Sequence, residues 1–349
     1  MKKNFAVIGY GGQGKWHCSQ LSGSDVATLK GVWDIDETKR EQATEKGIYV
    51  YSSLDELLND ELDGVVVVTP NDVHKELVIK ALNAGKNVIC EKPVEMSVAA
   101  FDEMANAAKE NNRLFTVYQN RRWDVDFLGI KSIVESGEIG ELINIESRIH
   151  GSRGIPSDWR CHKQFGGGMM LDWGVHLIDQ ILQITGKDNP VVRIYCDVNN
   201  ILTNEVDDNF TLRLTFKSGA RATVEVGTYN FVPMPRFYLQ CKNGSAIIPD
   251  WRENATVVKL KAWNEKDVLP EIYGNGVTKT MAARDDITTD TYKAPRPESD
   301  VHNYYRNVCA ALDGKEEIIV KLCEVRRVLS VMETALECAK TGEIREVNI

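Results

Sequence analysis

Glycines occupy positions 9, 11 and 14 of Gly9-Tyr10-Gly11-Gly12-Gln13-Gly14, directly after the apolar run Phe5-Ala6-Val7-Ile8. A strand, then GxGxxG, then a helix is a demanding order, and few folds satisfy it. Gly9 permits the tight turn, Gly11 lets main chain approach a pyrophosphate, and Gly14 lets the helix pack on the strand. Gly12 and Gln13 complete the turn, whose helix N-terminus supplies amide donors and a positive dipole end. Asp34 closes the next apolar run, Gly31-Val32-Trp33. An acidic residue there binds ribose hydroxyls and repels a 2′-phosphate. These residues predict an NAD site, with NAD favoured over NADP.

The pattern beyond the turn fits that site. Leu29 to Trp33, Gly64 to Val68, Asn87 to Cys90 and Leu114 to Tyr118 are further apolar runs of strand length, with helix-like stretches such as Val73 to Ala84 and Val98 to Asn111 between them. Continuous apolar strands alternating with helices mean a parallel sheet covered on both faces. The fold class expected is therefore α/β, with an N-terminal Rossmann doubly wound parallel sheet. The period changes after about Arg122. Phe210, Leu212, Leu214 and Phe216 alternate with polar residues, as do Ala222, Val224 and Val226, and Lys217-Ser218-Gly219 lies between. That is an antiparallel hairpin with one apolar face. The second part is expected to be an α/β domain with a large open, mainly antiparallel sheet, its other face solvated or pairing with a second copy. The division expected is 1–122 and 123–349. Residues 264 to 298 read as an irregular lid or interface arm, and a helix is expected from Leu322 to Lys340.

A chain of 349 residues exceeds what one hydrophobic core usually serves. The net charge of -9 argues against nucleic acid and anionic membranes as partners. Eight cysteines lie scattered without CxxC or zinc-like spacing, so they are read as reduced, mostly buried thiols, with no metal site. Met1-Lys2-Lys3 leads straight into a strand, and no apolar run approaches the length of a membrane span. A cytoplasmic protein is expected.

The carboxyl ends of the parallel strands, where ligands sit in open α/β sheets, carry Thr69-Pro70-Asn71-Asp72-Val73-His74 and Glu91-Lys92-Pro93. Thr69, Asn71, His74, Glu91 and Lys92 are the expected cofactor contacts there, with His74 a capping or packing group rather than a catalytic one. A third motif, Gly166-Gly167-Gly168 followed by Asp172 and His176, lets main chain approach a ligand and sets Asp172 and His176 four apart on one helix face.

Together with His17 and the stretch Tyr118-Gln119-Asn120-Arg121-Arg122-Trp123-Asp124, these motifs resemble the Gfo/Idh/MocA family of sugar and polyol dehydrogenases along nearly the whole chain. The resemblance implies that Lys92 and His176 face the substrate with Asp172 beside the histidine, and that Pro93 is cis. A histidine of ordinary pKa, ~6.5, suits acceptance of the hydroxyl proton, so oxidation is expected to quicken as it deprotonates. Lys92 can stabilise developing alkoxide, and Asp172 can orient the imidazole or bind another hydroxyl. Arg122, Trp159 and Arg160 are candidate substrate contacts, with structural ion pairing the competing role for the arginines. The activity expected is reversible oxidation of a ring hydroxyl on a sugar, glycoside or cyclitol by a homodimer or homotetramer. Glycoside cleavage with NAD as a recycled internal oxidant, and a non-catalytic NAD-binding regulator, are the alternatives.

Overall fold

The computed structural model describes residues 1–262, 271–279, 283–284 and 286–349. Five parallel strands, β1 (Lys3–Ile8), β2 (Ala27–Trp33), β3 (Gly64–Val67), β4 (Asn87–Cys90) and β5 (Phe115–Val117), form the first sheet in the order β2-β1-β3-β4-β5. The chain leaves β1 towards one edge and returns to β3 on the other side, so the carboxyl ends of β1 and β3 flank a topological switch point. Helices α1 (Gly12–Ser22), α2 (Glu37–Glu45), α3 (Leu54–Asn59), α4 (His74–Asn83) and α5 (Val98–Glu110) connect these strands. Every residue of β3 is buried, which is why its sequence is continuous valine after Gly64. In α5, Ser97 accepts from the Ala100 amide, and Phe101, Met104, Ala107 and Ala108 form the buried stripe.

The second sheet has nine strands among the described residues, in the order β15-β12-β11-β10-β6-β9-β8-β7-β16. They are β6 (Leu142–His150), β7 (Val191–Asn199), β8 (Asn209–Phe216), β9 (Arg221–Gly227), β10 (Phe237–Cys241), β11 (Gly244–Ile248), β12 (Thr256–Leu260), β15 (Thr289–Lys293) and β16 (Arg345–Glu346). Pairing is antiparallel apart from β6 with β9. The alternation seen in the sequence becomes the β8–β9 hairpin: Phe210, Leu212, Leu214 and Phe216 are buried, and the turn uses Gly219 at φ +90°. Helices α6 (Val125–Ser136), α7 (Val175–Thr185) and α9 (Leu322–Thr341) join its apolar face in one core.

Two expectations need correction. The stretch 264–298 contains β13 (Glu271–Tyr273), β14 (Val277–Lys279) and β15. The first two pair with each other and β15 pairs with β12, so alternating main-chain pairing, rather than an irregular arm, organises the described part. Its residues 264–270, 280–282 and 285 lie outside the described residues. The chain also returns to its first core. Tyr304, Tyr305, Val308 and Cys309 of α8 (Asn303–Leu312) pack with the parallel sheet. Helix α9 serves both cores: Val325 and Leu329 face the first, Val331, Met332 and Ala335 the second. A division at residue 122 cannot capture this, because the sequence period says which face of a helix is apolar and not which core receives it. The cysteines carry no disulfide, and burial pushes the Cys18 thiol up to about 12. No helix among the described residues is long and apolar enough to cross a membrane.

Candidate active site

Steric demand separates the glycines of the first turn. Gly9 has φ +104°, and a Cβ there would stand 2.3 Å from the Val68 carbonyl oxygen. A Cβ on Gly14 would stand 2.2 Å from the Gly9 oxygen. Both are glycine because the fold requires it. A Cβ on Gly11 or Gly12 would meet nothing within 4 Å, so the protein itself does not demand glycine there. Helix α1 starts at that open flank with no side-chain cap and no acidic residue in its first turn. Free amides beside an uncrowded main chain fit a pyrophosphate. Asp34 is fixed beside them: its Oδ2 accepts from the Tyr10 amide (2.6 Å) and its Oδ1 from the Asp36 amide (2.9 Å). Arg40 donates to the carbonyls of Asp34 (2.8 Å) and Ile35 (3.1 Å).

At the strand ends the expected contacts divide. Glu91 is buried, with Oε1 2.9 Å from Nε2 of His17 and Oε2 accepting from the Lys92 amide at 2.9 Å. Nδ1 of His17 lies 2.5 Å from the Tyr305 hydroxyl, so His17 ties the glycine turn to the Glu91 strand end and to α8. The Lys92–Pro93 peptide bond is cis. His74 is a correction as a cofactor contact. It is fully buried, its Nδ1 3.1 Å from the Pro93 carbonyl oxygen and its Nε2 2.9 Å from that of Thr69, so neither ring nitrogen is left for a ligand. Asn71 is buried and donates to the Gly166 carbonyl at 3.0 Å, joining the first sheet to the glycine-rich segment. The Thr69 hydroxyl is buried without a partner.

The glycine triplet builds the other wall. Gly166 and Gly168 have φ +69° and +107°. A Cβ on Gly167 would stand 2.3 Å from the Arg160 oxygen, and one on Gly168 would stand 2.3 Å from Asp207 Oδ1. The chain then makes a π turn, Met170–Gly174, before α7. Asp207 anchors its start, accepting from the Met170 amide at 2.7 Å, and burial pushes its carboxyl up to about 7.

Lys92, Asp172, His176, Arg160 and Gln13 line one cleft of ≈650 Å³ between the two sheets. The Lys92 ammonium donates to Asp172 twice, to its carbonyl and to Oδ1, both at 3.0 Å. Arg160 Nε takes the other carboxylate oxygen at 2.9 Å. Burial opposes ionisation of Asp172, but Lys92 and Arg160 outweigh it and hold the carboxyl below its usual range. Asp172 therefore orients Lys92, not the imidazole as the four-residue spacing suggested. His176 is buried, and its Nδ1 has no partner. Burial first, then the positive charges of Lys92, Arg121 and Arg236, push its pKa well below the ordinary histidine value. The pH dependence expected near ~6.5 thus moves to more acid pH.

Two further expectations fail on contacts. Arg122 is buried away from the cleft lining. Its Nε and Nη2 donate to Asp179 of α7 at 2.8 and 2.6 Å, and Nη1 to Glu324 of α9 at 2.7 Å. It locks the two cores together. Trp159 is absent from the cleft lining, and its ring lies 4.6 Å from the Arg160 guanidinium. Arg121, Trp173 and Trp251 line the cleft and had not been singled out. Arg121 and Trp173 lie inside motifs already read, whereas Trp251 sits in a turn with no local signal.

The glycine turn and the cleft agree with comparison to known proteins. Residues 3–119 match the oxidoreductase family with NAD-binding Rossmann fold, and residues 127–247 match the GFO/IDH/MocA C-terminal domain. The crystal structure of an NAD-binding protein from Listeria innocua is 41% identical with a TM-score of 0.88, covering 99% of this chain and 97% of that one. An oxidoreductase of Schizosaccharomyces pombe is 41% identical over 172 residues, 48% of this chain and 47% of the relative, so the match spans about half of that protein. The scyllo-inositol 2-dehydrogenase (NADP(+)) of Bacillus subtilis is 28% identical over 346 residues, 96% of this chain and 93% of the relative. With its NAD-binding Rossmann domain and its large, mostly antiparallel second sheet, the chain belongs to the Gfo/Idh/MocA family of oxidoreductases.

Proposed function

We propose that this protein is an NAD-dependent dehydrogenase that reversibly oxidises a secondary ring hydroxyl of a sugar, glycoside or cyclitol. The observation that carries the reading is the arrival of Lys92 from a Rossmann strand end and His176 from the start of α7 in one cleft. The Bacillus subtilis relative, named for an inositol, supports the substrate class. Bound NAD supplies the hydride acceptor; the helix α1 amides, Gly11 and Asp34 would hold it.

The chain's own residues handle the proton and the oxygen. Neutral at physiological pH, His176 is in the form that accepts the hydroxyl proton. In the reverse direction the protonated ring must be the donor, and the depressed pKa confines that form to acid pH. An ammonium has three N–H donors. Asp172 accepts two from Lys92, which leaves one for the reacting oxygen. Arg160, on the other oxygen of Asp172, keeps that carboxylate from turning away.

The test is a panel of inositols, monosaccharides and glycosides incubated with NAD and followed by NADH absorbance. A ring polyol that generates NADH supports the reading. Release of aglycone without net NADH points to the recycling hydrolase, and tight NAD binding with no reaction on any polyol points to a regulator. Asp34 favours NAD while Arg40 stands close enough to attract a 2′-phosphate, so paired NAD and NADP titrations belong in the same assay. NADP binding tighter than NAD would overturn the cofactor preference. The polar face of β8 and β9, with Thr211, Arg213 and Glu225, is the surface we expect to pair with a second copy. Light scattering that reports a monomer at micromolar concentration would refute that.

A further inference from the structure

An aromatic wall runs through the cleft beyond the residues assigned above. The Trp173 ring meets His176 edge-on at 6.3 Å between centroids and Trp251 at 5.9 Å. The Arg121 guanidinium lies 4.2 Å from the Trp173 ring and is held by Asp124 at 2.8 Å. Trp251 comes from the turn between β11 and β12, far from Trp173 in sequence.

That turn does not depend on the indole. Arg296 donates to the carbonyls of Trp251 (2.9 Å) and Glu253 (3.2 Å), and Asp250 Oδ1 accepts from the Arg252 amide at 3.0 Å. A turn held by these bonds nevertheless presents a tryptophan that remains 37% exposed, in a cleft whose other lining mixes charged groups such as Lys92, Arg160 and Asp172 with apolar ones such as Ile149, Met169 and Val226. Wet indole surface is unfavourable, and an aromatic face is electron-rich. A polyhydroxylated ring is the complementary shape: its hydroxyls form a polar rim and its axial C–H bonds form weakly positive faces. An open-chain polyol has no such face.

We propose that Trp173 and Trp251 form a stacking platform for the C–H face of a ring substrate, with Trp251 setting selectivity for cyclic over open-chain polyols. The proposal rests on the dehydrogenase reading for its substrate class. Stacking along the wall carries one edge of the ring towards His176, and the hydroxyl at that edge is the one oxidised.

The experiment measures binding separately from turnover. Calorimetric titration of the NADH-loaded protein with myo-inositol, methyl β-glucopyranoside and sorbitol compares the unsubstituted chain with Trp251→Phe and Trp251→Ala. At least one ring compound is expected to bind. Trp251→Ala should weaken it roughly 3- to 10-fold, the size of an aromatic contact, and Trp251→Phe by less than that. Sorbitol affinity should be the same in all three. With a turned-over ring substrate, the change should fall in KM, leaving kcat within about twofold. Equal ring affinity in the unsubstituted and Ala proteins, equal losses for ring and sorbitol, or no binding of either ring compound would each overturn the platform. Ring binding that depends on Trp251 without any NADH formation from NAD would keep the platform and remove the dehydrogenase reading.

Discussion

Replacing Arg122 with alanine should unfold this protein more readily without emptying its cleft of any substrate contact. The Arg122 and Asp179 side chains are only 5% and 3% exposed, and the guanidinium meets the carboxylate with two parallel hydrogen bonds of 2.8 and 2.6 Å. Burial alone would lower the arginine's pKa, yet Asp179 and Glu324 raise it, so the guanidinium keeps its charge. Removing the cation strands the Asp179 carboxylate in the interior. Breaking a buried pair in this way costs about 3–5 kcal/mol. Glu324 is 28% exposed and adds little, under ~1 kcal/mol. For a domain-sized cooperative unit, that loss lowers Tm by on the order of 10 °C. The assay is thermal unfolding of Arg122→Ala, Asp179→Asn and the double variant, followed by circular dichroism. The double variant should be more stable than Arg122→Ala, because it no longer buries an unpaired charge. A Tm within about 2 °C of the unsubstituted protein, together with a strongly raised KM, would refute the lock and return Arg122 to the substrate.

Other perturbations test the site. Alanine at Lys92 or at His176 should lower turnover roughly 10²–10⁴-fold with little change in NAD affinity, and the losses should be non-additive. Because the His176 pKa is depressed, kcat/KM for oxidation should show no histidine limb near pH ~6.5; a limb there that vanishes in His176→Ala would contradict the assigned environment. Gly11→Ala should melt like the unsubstituted protein yet bind NAD weakly, whereas Gly14→Ala should lose stability, since only the latter Cβ strikes main chain. Calorimetry and melting together decide this, and equal behaviour of the two variants would overturn it. Asp207 has a carboxyl raised to about 7 by burial, so its contribution to stability is full at acid pH and is lost as pH rises through about 7. Asp207→Asn should therefore gain stability relative to the unsubstituted chain as pH rises from about 4 to about 7, and the difference should level off above that. Parallel Tm–pH curves would rule this out.

Local sterics and short periods explain what could be read in advance. Gly9 and Gly14 are demanded by atoms within their own turn and the adjoining strand, and the β8–β9 hairpin announces itself by alternation. Lys92, Asp172 and His176 stand in motifs whose glycines and proline shape the main chain around them. The partners of those residues were not legible. Asp172 binds a lysine 80 residues away and an arginine 12 residues away, rather than the histidine one turn on. Arg122 and Arg121 are neighbours in sequence, but one is buried as a lock and the other lines the cleft. Trp251 reaches Trp173 only because β11 and β12 carry its turn there, and α9 divides itself between two cores. The glycine turn and the succession of strands and helices were written in the chain, whereas the order in which the strands lie side by side came with the fold. Charge pairing and burial depend on which distant surfaces meet, and folding alone selected the lysine's carboxylate, the neutral histidine and the aromatic wall.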